Sequence, residues 1–245
     1  MSDNPITNVL NLLRLLKHNS MFEHNMYENV RRWCGEDATD SSLLRLFAYG
    51  LDQCQMAKEA IQESSLTEEA KTGLIQIVES LQTCFMFPTA SNAIRGQIPQ
   101  LDSAISSFAI LASIYKDDIS TASNSDLIQL IDEVNSVYNL FDSTLNGSPL
   151  KQLAKRHLQV LLTTLRHVDA FGIDSALSVY AELVVRLNTA VKSAPPEDAE
   201  KTSQIWPTIV KWGDRLAKIG NVVGSGSKLI KDGSDIAHTL IGFNG

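Results

Sequence analysis

Trp206-Pro-Thr-Ile-Val-Lys-Trp-Gly-Asp-Arg-Leu-Ala-Lys-Ile-Gly-Asn-Val-Val223 is the stretch that sets the fold class. At 100° per residue, Trp206, Ile209, Trp212, Leu216, Ile219 and Val223 fall on one broad face, and Lys211, Asp214, Arg215, Lys218 and Asn221 fall on the other. That is the 3.6-residue period of an amphipathic helix. A Gly-Ser hinge follows (Gly224, Ser225, Gly226, Ser227), then a second amphipathic run from Leu229 to Ile241 that includes Ile236 and Leu240. A hairpin of this kind has to bury its apolar face against its own core, another polypeptide or a lipid surface.

The same period recurs upstream, and strand signals are nearly absent. Val9, Leu12, Leu13 and Leu16 make a first stripe; Phe22–Cys34 reads as a polar helix ending at Gly35. Asp40 reads as the N-cap of a helix carrying Leu43, Phe47, Leu51, Cys54, Ala57 and Ile61. Ser65 and Glu68 fit a capping box opening a helix with Leu74, Ile77, Val78, Leu81 and Phe85, which Pro88 stops. Pro99 suits the first position of the next helix, and the charge-free run Ala104–Tyr115 predicts a central, enclosed helix. Leu127, Leu130, Val134, Val137, Phe141 and Leu145 step in threes and fours. Ser148-Pro149 opens a helix with Leu150, Leu153, His157, Leu161, Leu165 and Val168 inward. Gly172 ends it, and Asp174 caps a helix through Leu177, Tyr180, Val184, Leu187 and Val191. The expected fold is all-α: an antiparallel multi-helix bundle of nine or ten helices with a C-terminal amphipathic helical hairpin. The expected divisions are a bundle domain over 1–193, a linker or helix start over 194–204 around Pro195-Pro196, and the hairpin over 205–245.

Composition narrows the function. In 245 residues, 44% hydrophobic and 20% charged, a sizeable core is affordable and disorder is disfavoured. The net charge of −7 argues against general nucleic-acid binding. Residues 1–204 hold 25 acids and 16 bases, whereas 205–245 hold three acids and five bases. Cys34, Cys54 and Cys84 are odd in number and sit in helical patterns, which suits buried thiols in a reducing, cytoplasmic setting. The longest uncharged runs, Ser80–Ile94 and Ser103–Tyr115, fall short of the roughly 20 apolar residues of a spanning helix. Seven acids and one base lie between Arg95 and Lys151, and four bases and no acid from Lys151 to Arg166. Asp132, Glu133 and Asp142 can therefore face Lys155 and Arg156 across a hairpin, or the two sets can be separate solvated faces.

Motifs that carry chemistry are sparse. His157 lies in an apolar stripe and reads as a core histidine bonded to a backbone carbonyl, and nothing places a Ser or Cys nucleophile beside His167. His18 and His24 lack the paired Glu-x-x-His motifs of a helical di-metal site. Gly220–Lys228 departs from a phosphate-binding loop, since Ser227 precedes Lys228 and Leu229 follows it. Arg14-Leu-Leu-Lys-His18 resembles the Arg and His pair of the all-helical HEPN-family ribonucleases, with three intervening residues where that family has about four to six and Leu15 where a polar residue usually follows the Arg. Cleavage of RNA is what that resemblance implies; on spacing alone the two are an i, i+4 surface pair. No catalytic residue, metal ligand or cofactor is assigned.

The function expected from this pattern is a non-enzymatic helical protein–protein interaction module: an adaptor, regulatory or oligomerising subunit. Its partner-binding face is expected to be Trp206, Ile209, Trp212, Leu216, Ile219, Val223, Leu229, Ile236 and Leu240, engaging a protein partner or a second copy. Gly233 and Ala237 would permit close backbone approach. The alternatives are a membrane-active, toxin-like or cell-suicide effector using the same hairpin, with peripheral membrane contact, and an all-helical ribonuclease.

Overall fold

The computed structural model describes residues 4–18, 24–35, 39–86, 92–98, 100–114, 124–145 and 148–220. Among these residues there are eleven helices and no strand, only an isolated bridge between Asn25 and Ala93. The fold is an all-α multi-helix bundle. In chain order the helices are α1 (Pro5–Lys17), α2 (Met26–Cys34), α3 (Asp40–Glu63), α4 (Glu68–Phe85), α5 (Ile94–Gln97), α6 (Leu101–Ile114), α7 (Asn124–Thr144), α8 (Pro149–Arg166), α9 (Val168–Phe171), α10 (Ile173–Val191) and α11 (Pro196–Gly220). Where the sequence suggests one bundle over 1–193, the helices divide into two units. One holds α1–α6 together with α9; the other holds α7, α8, α10 and α11.

In the first unit, α1 packs on α3, α6 and α9, and α3 packs on α4 and α2. The α1 stripe is fully enclosed: Val9, Leu12, Leu13 and Leu16 have no exposed surface. Asn4 caps α1 by accepting from the Ile6 N–H at 2.9 Å, and Asn25 caps α2 by accepting from Glu28 at 2.8 Å. Helix α2 starts at Met26, later than the sequence suggests, and ends at Gly35, whose φ of 83° explains the glycine. Two other caps sit one residue before or two residues after their expected places. Thr39 rather than Asp40 caps α3, and Thr67 rather than Ser65 caps α4; Asp40 and Glu68 become first-turn acids that suit the helix dipole. Across the core, Asn8 Nδ2 donates to Gln53 Oε1 at 2.8 Å, both residues buried, which fixes the register of α1 on α3.

Helix α6 is not enclosed as its lack of charge predicts. Phe108 and Leu111 are buried, but Ile110 is 65% and Ile114 63% exposed. The polar face here is made of serines: Ser106 and Ser113 donate their hydroxyls to the carbonyls of Asp102 and Ile110 in the same helix. A serine-bearing face needs no charge to meet water. Pro88 and Pro99 lie outside the described residues.

The second unit is a ring of four helices: α8 contacts α7 and α10, α10 contacts α11, and α11 returns to α7. All six expected α7 positions, Leu127, Leu130, Val134, Val137, Phe141 and Leu145, are buried. Pro149 opens α8 as its first residue, with the Ser148 hydroxyl accepting from the Leu150 N–H at 3.2 Å. Helix α11 starts at Pro196 and runs without a break through Pro207 to Gly220, and it packs in the ring on α7 and α10. Its direction against α7 is read from three contacts. Lys201 Nζ donates to the Thr144 carbonyl at 3.2 Å, Arg215 Nη1 to Glu133 Oε1 at 2.7 Å, and Lys218 Nζ lies 3.8 Å from Asp126 Oδ2. As numbers rise on α11 they fall on α7, so the pair is antiparallel.

The two charged runs meet only in part. Asp142 accepts from Lys155 Nζ at 2.9 Å and lies 3.2 Å from Lys151 Nζ, across the α7–α8 hairpin, while Glu133 is taken by Arg215 of α11. These exposed pairs guide register more than they stabilise. The hydrogen bonds from Lys155 and then Lys151 hold the Asp142 carboxyl below the ordinary carboxylate range. A depressed pKa contributes stability above the ordinary value, which is lost as pH falls through the folded one. A carbon-detected titration is expected to place the Asp142 midpoint below that of an unpaired aspartate, and Lys155→Ala is expected to move it back upward.

Two expectations test the packing. A chain ending at Gln204, which lacks Ile205, Ile209, Trp212, Leu216 and Ile219 of α11, is expected to lose the cooperative transition of the four-helix unit, as read by circular dichroism and calorimetry. A Cβ at Gly50 would lie 2.5 Å from the Phe85 ring, itself enclosed. Gly50→Ala is therefore expected to destabilise by about 1–3 kcal/mol through overpacking, measured by denaturant unfolding.

Candidate functional site

The face expected to meet a partner divides three ways. Ile209, Trp212, Leu216 and Ile219 are buried, with α11 packed on α7 and α10. Trp206 is half-buried on the same helix. Val223, Leu229, Ile236 and Leu240 lie outside the described residues. The apolar stripe of α11 is therefore occupied by its own unit. The close fit at Gly213 shows why: a Cβ there would lie 2.9 Å from the Tyr180 hydroxyl, which donates to the Val210 carbonyl at 3.2 Å. Burial pushes the Tyr180 hydroxyl up to about 12.

An open apolar surface lies elsewhere in the four-helix unit, along the seam of α8 and α10. There a trough of about 620 Å³ is walled by Leu153 of α8 and by Ala181, Val185 and Ala190 of α10. Val185 stands 48% exposed in it. The trough exists because α10 places alanines at 181 and 190, about one turn before Val185 and nearly one and a half turns after it, where larger side chains would fill the seam. Thr189 and Ser193 line one end. Their hydroxyls donate back to the carbonyls of Val185 at 2.9 Å and Thr189 at 3.4 Å.

Glu182 and Arg186 line the other side, one turn apart on α10. Beneath them sits His157, 4% exposed. Its Nδ1 is 2.9 Å from the Leu153 carbonyl, which can only accept, so this nitrogen carries hydrogen. Nε2 then faces Glu182 Oε1 at 3.5 Å, and Arg186 Nε approaches the same oxygen at 3.5 Å. The guanidinium is thus the cation paired with the carboxylate, and the His157 ring lies beside the same oxygen. Its two nitrogens are turned to a carbonyl and a carboxylate, and the Thr189 and Ser193 hydroxyls of the trough bond to their own helix. The arrangement orients charge at the rim of an apolar surface.

His157 takes the role expected of it, a core histidine on a backbone carbonyl. Its neighbour Glu182 is not marked by the sequence; the available signal is an i, i+4 Glu and Arg pair on the helix after a stripe containing histidine. Arg14 and His18 sit on the exposed side at the end of α1, one turn apart. His24 Nδ1 lies 3.2 Å from Glu28 of its own turn. Among the described residues no group of three or more His, Cys, Asp or Glu is placed to hold a metal ion, and no helix is long and apolar enough to cross a membrane. No protein-family model, curated protein or solved structure matches this chain.

Proposed function

We propose that the chain is a non-enzymatic protein–protein interaction module, and that the α8–α10 trough receives an apolar helix face of a protein partner. The observation that carries this reading is the half-exposed Val185 in the middle of an apolar trough whose charged rim is already paired within itself. Helix-in-groove recognition uses such a surface: one amphipathic helix lays a ridge of apolar side chains between two others. Burial of apolar area is worth about 25 cal/mol per Å², and a trough of this kind supplies it without first breaking the ring that α11 closes. Glu182 and Arg186 at the rim would add orientation and selectivity more than affinity. Adaptor, regulator and oligomerising subunit are the roles such a surface serves.

The test separates the trough from the rest of the surface. Val185→Glu puts a carboxylate in the trough at a position that is not core, so the melting transition is expected to stay where it is. Capture of the wild type's protein partner from an extract of the source cell, quantified by mass spectrometry, is expected to fall about ten-fold or more. Ile110→Glu on α6 is expected to leave capture intact. If the wild type holds no protein, or if Val185→Glu holds it equally well, this reading is wrong.

A further inference from the structure

Three contacts set α3 against α4 in antiparallel register. Lys58 Nζ reaches Glu79 Oε1 at 3.0 Å. The rings of Phe47 and Phe85 meet edge to face with centroids 5.9 Å apart. The backbone of Gly50 lies so close to the Phe85 ring that no side chain fits between them. Position 54 falls midway between 50 and 58 on α3, which sets it opposite about residue 82 of α4, less than one turn from Cys84, and the two thiols are near enough to interact electrostatically. Both hold cysteines, and both side chains are fully enclosed. Gly50, Cys54 and Ala57 share one face of α3, spaced i, i+4 and i+7, and their small size allows α4 to come near. The Cys84 thiol donates to the Ser80 carbonyl at 3.3 Å.

We propose that Cys54 and Cys84 are a facing dithiol, a modification site that closes on oxidation into a disulfide stapling α3 to α4. The two thiols give up two protons and two electrons as the S–S bond forms. Hydrogen peroxide is the oxidant: one thiolate attacks it to give a sulfenic acid and water, and the second sulfur displaces the sulfenic oxygen as a second water. Burial pushes both thiols up to about 12, and the nearness of Cys84 raises Cys54 further. In the closed hairpin both sulfurs are therefore protonated and inert. Oxidation proceeds through local opening of α3 from α4, and reclosure brings the pair together. The bond then restrains the chain between residues 54 and 84 in the unfolded state, which stabilises the folded one. This inference is independent of the α8–α10 trough.

The experiment treats the full chain with hydrogen peroxide, blocks remaining thiols under denaturing conditions, and maps the products by mass spectrometry. The expected result is a chain about 2 Da lighter, a cross-linked peptide joining Cys54 to Cys84, Cys34 blocked as a free thiol, and a Tm raised by about 5 °C or more. The Cys54→Ser and Cys84→Ser variants are each expected to lose the mass change and the Tm rise together. Recovery of Cys54 and Cys84 separately, as thiols or as sulfinic acids, would overturn the proposal. So would a bond to Cys34, or a 54–84 bond that lowers Tm.

Discussion

The four-helix unit depends on one act of burial, the seating of α11 between α7 and α10. Three helices arranged as α7, α8 and α10 leave an apolar seam between α7 and α10; Ile209, Trp212, Leu216 and Ile219 fill it. A buried tryptophan removes roughly 150–250 Å² from water, more than any other side chain on that face offers. The hydrophobic term is non-directional, so it sets that the seam closes but not how. Direction comes from Lys201, Arg215 and Lys218 finding α7 partners in reverse order. Depth comes from Gly213, the residue beside Trp212, which lets α11 approach Tyr180 closely enough for its hydroxyl to bond the Val210 carbonyl.

The other unit solves its packing with the same devices in different places. A glycine admits an aromatic ring, here Gly50 and Phe85 between α3 and α4. A buried polar pair fixes register, here Asn8 with Gln53 between α1 and α3. Such a bond adds about 1 kcal/mol net, but leaving either amide unpaired in the core would cost more than that. The asymmetry makes the bond a register device: a slipped pairing strands both amides away from water.

Periodicity carries most of what the sequence makes legible. Where a helix has one wet and one dry face, as α1 and α7 do, the apolar spacing names its buried residues correctly because only one rotation satisfies the pattern. The pattern is silent on who supplies the cover. The Trp206–Val223 face is just as periodic whether it meets its own unit or another chain, and so Trp212 reads equally well as an anchor for a partner. Absence of charge misleads at α6, because serine hydroxyls that bond their own helix present a wet surface without ionising. Caps shift by one or two residues because several Asp, Ser and Thr crowd each helix start and the structure uses one. The two-unit division is hidden for a different reason. Helix α9 lies in sequence between α8 and α10 yet groups with α1–α6, so no linker marks the boundary. The groove pair His157 and Glu182 is likewise a product of tertiary register, far apart in sequence and joined only once α8 and α10 are antiparallel.

That register also explains why an open surface lies on one seam of the ring and not on another. The α10–α11 seam is tight because Gly213 lets the Tyr180 ring lie against the α11 backbone. The α8–α10 seam stays open because alanines at 181 and 190 leave the space beside Val185 unfilled. A polar residue at 185 would make the trough an ordinary wet groove; valine keeps it apolar at a standing cost in exposed surface. A single exposed valine is unexceptional by itself. Set in a trough of about 620 Å³ with Leu153 on the far wall, and with Glu182 paired to Arg186, it belongs to a surface whose rim carboxylate already has a cation beside it. Covering an unpaired carboxylate would oppose docking by its desolvation; the Arg186 guanidinium beside Glu182 lowers that cost at this seam.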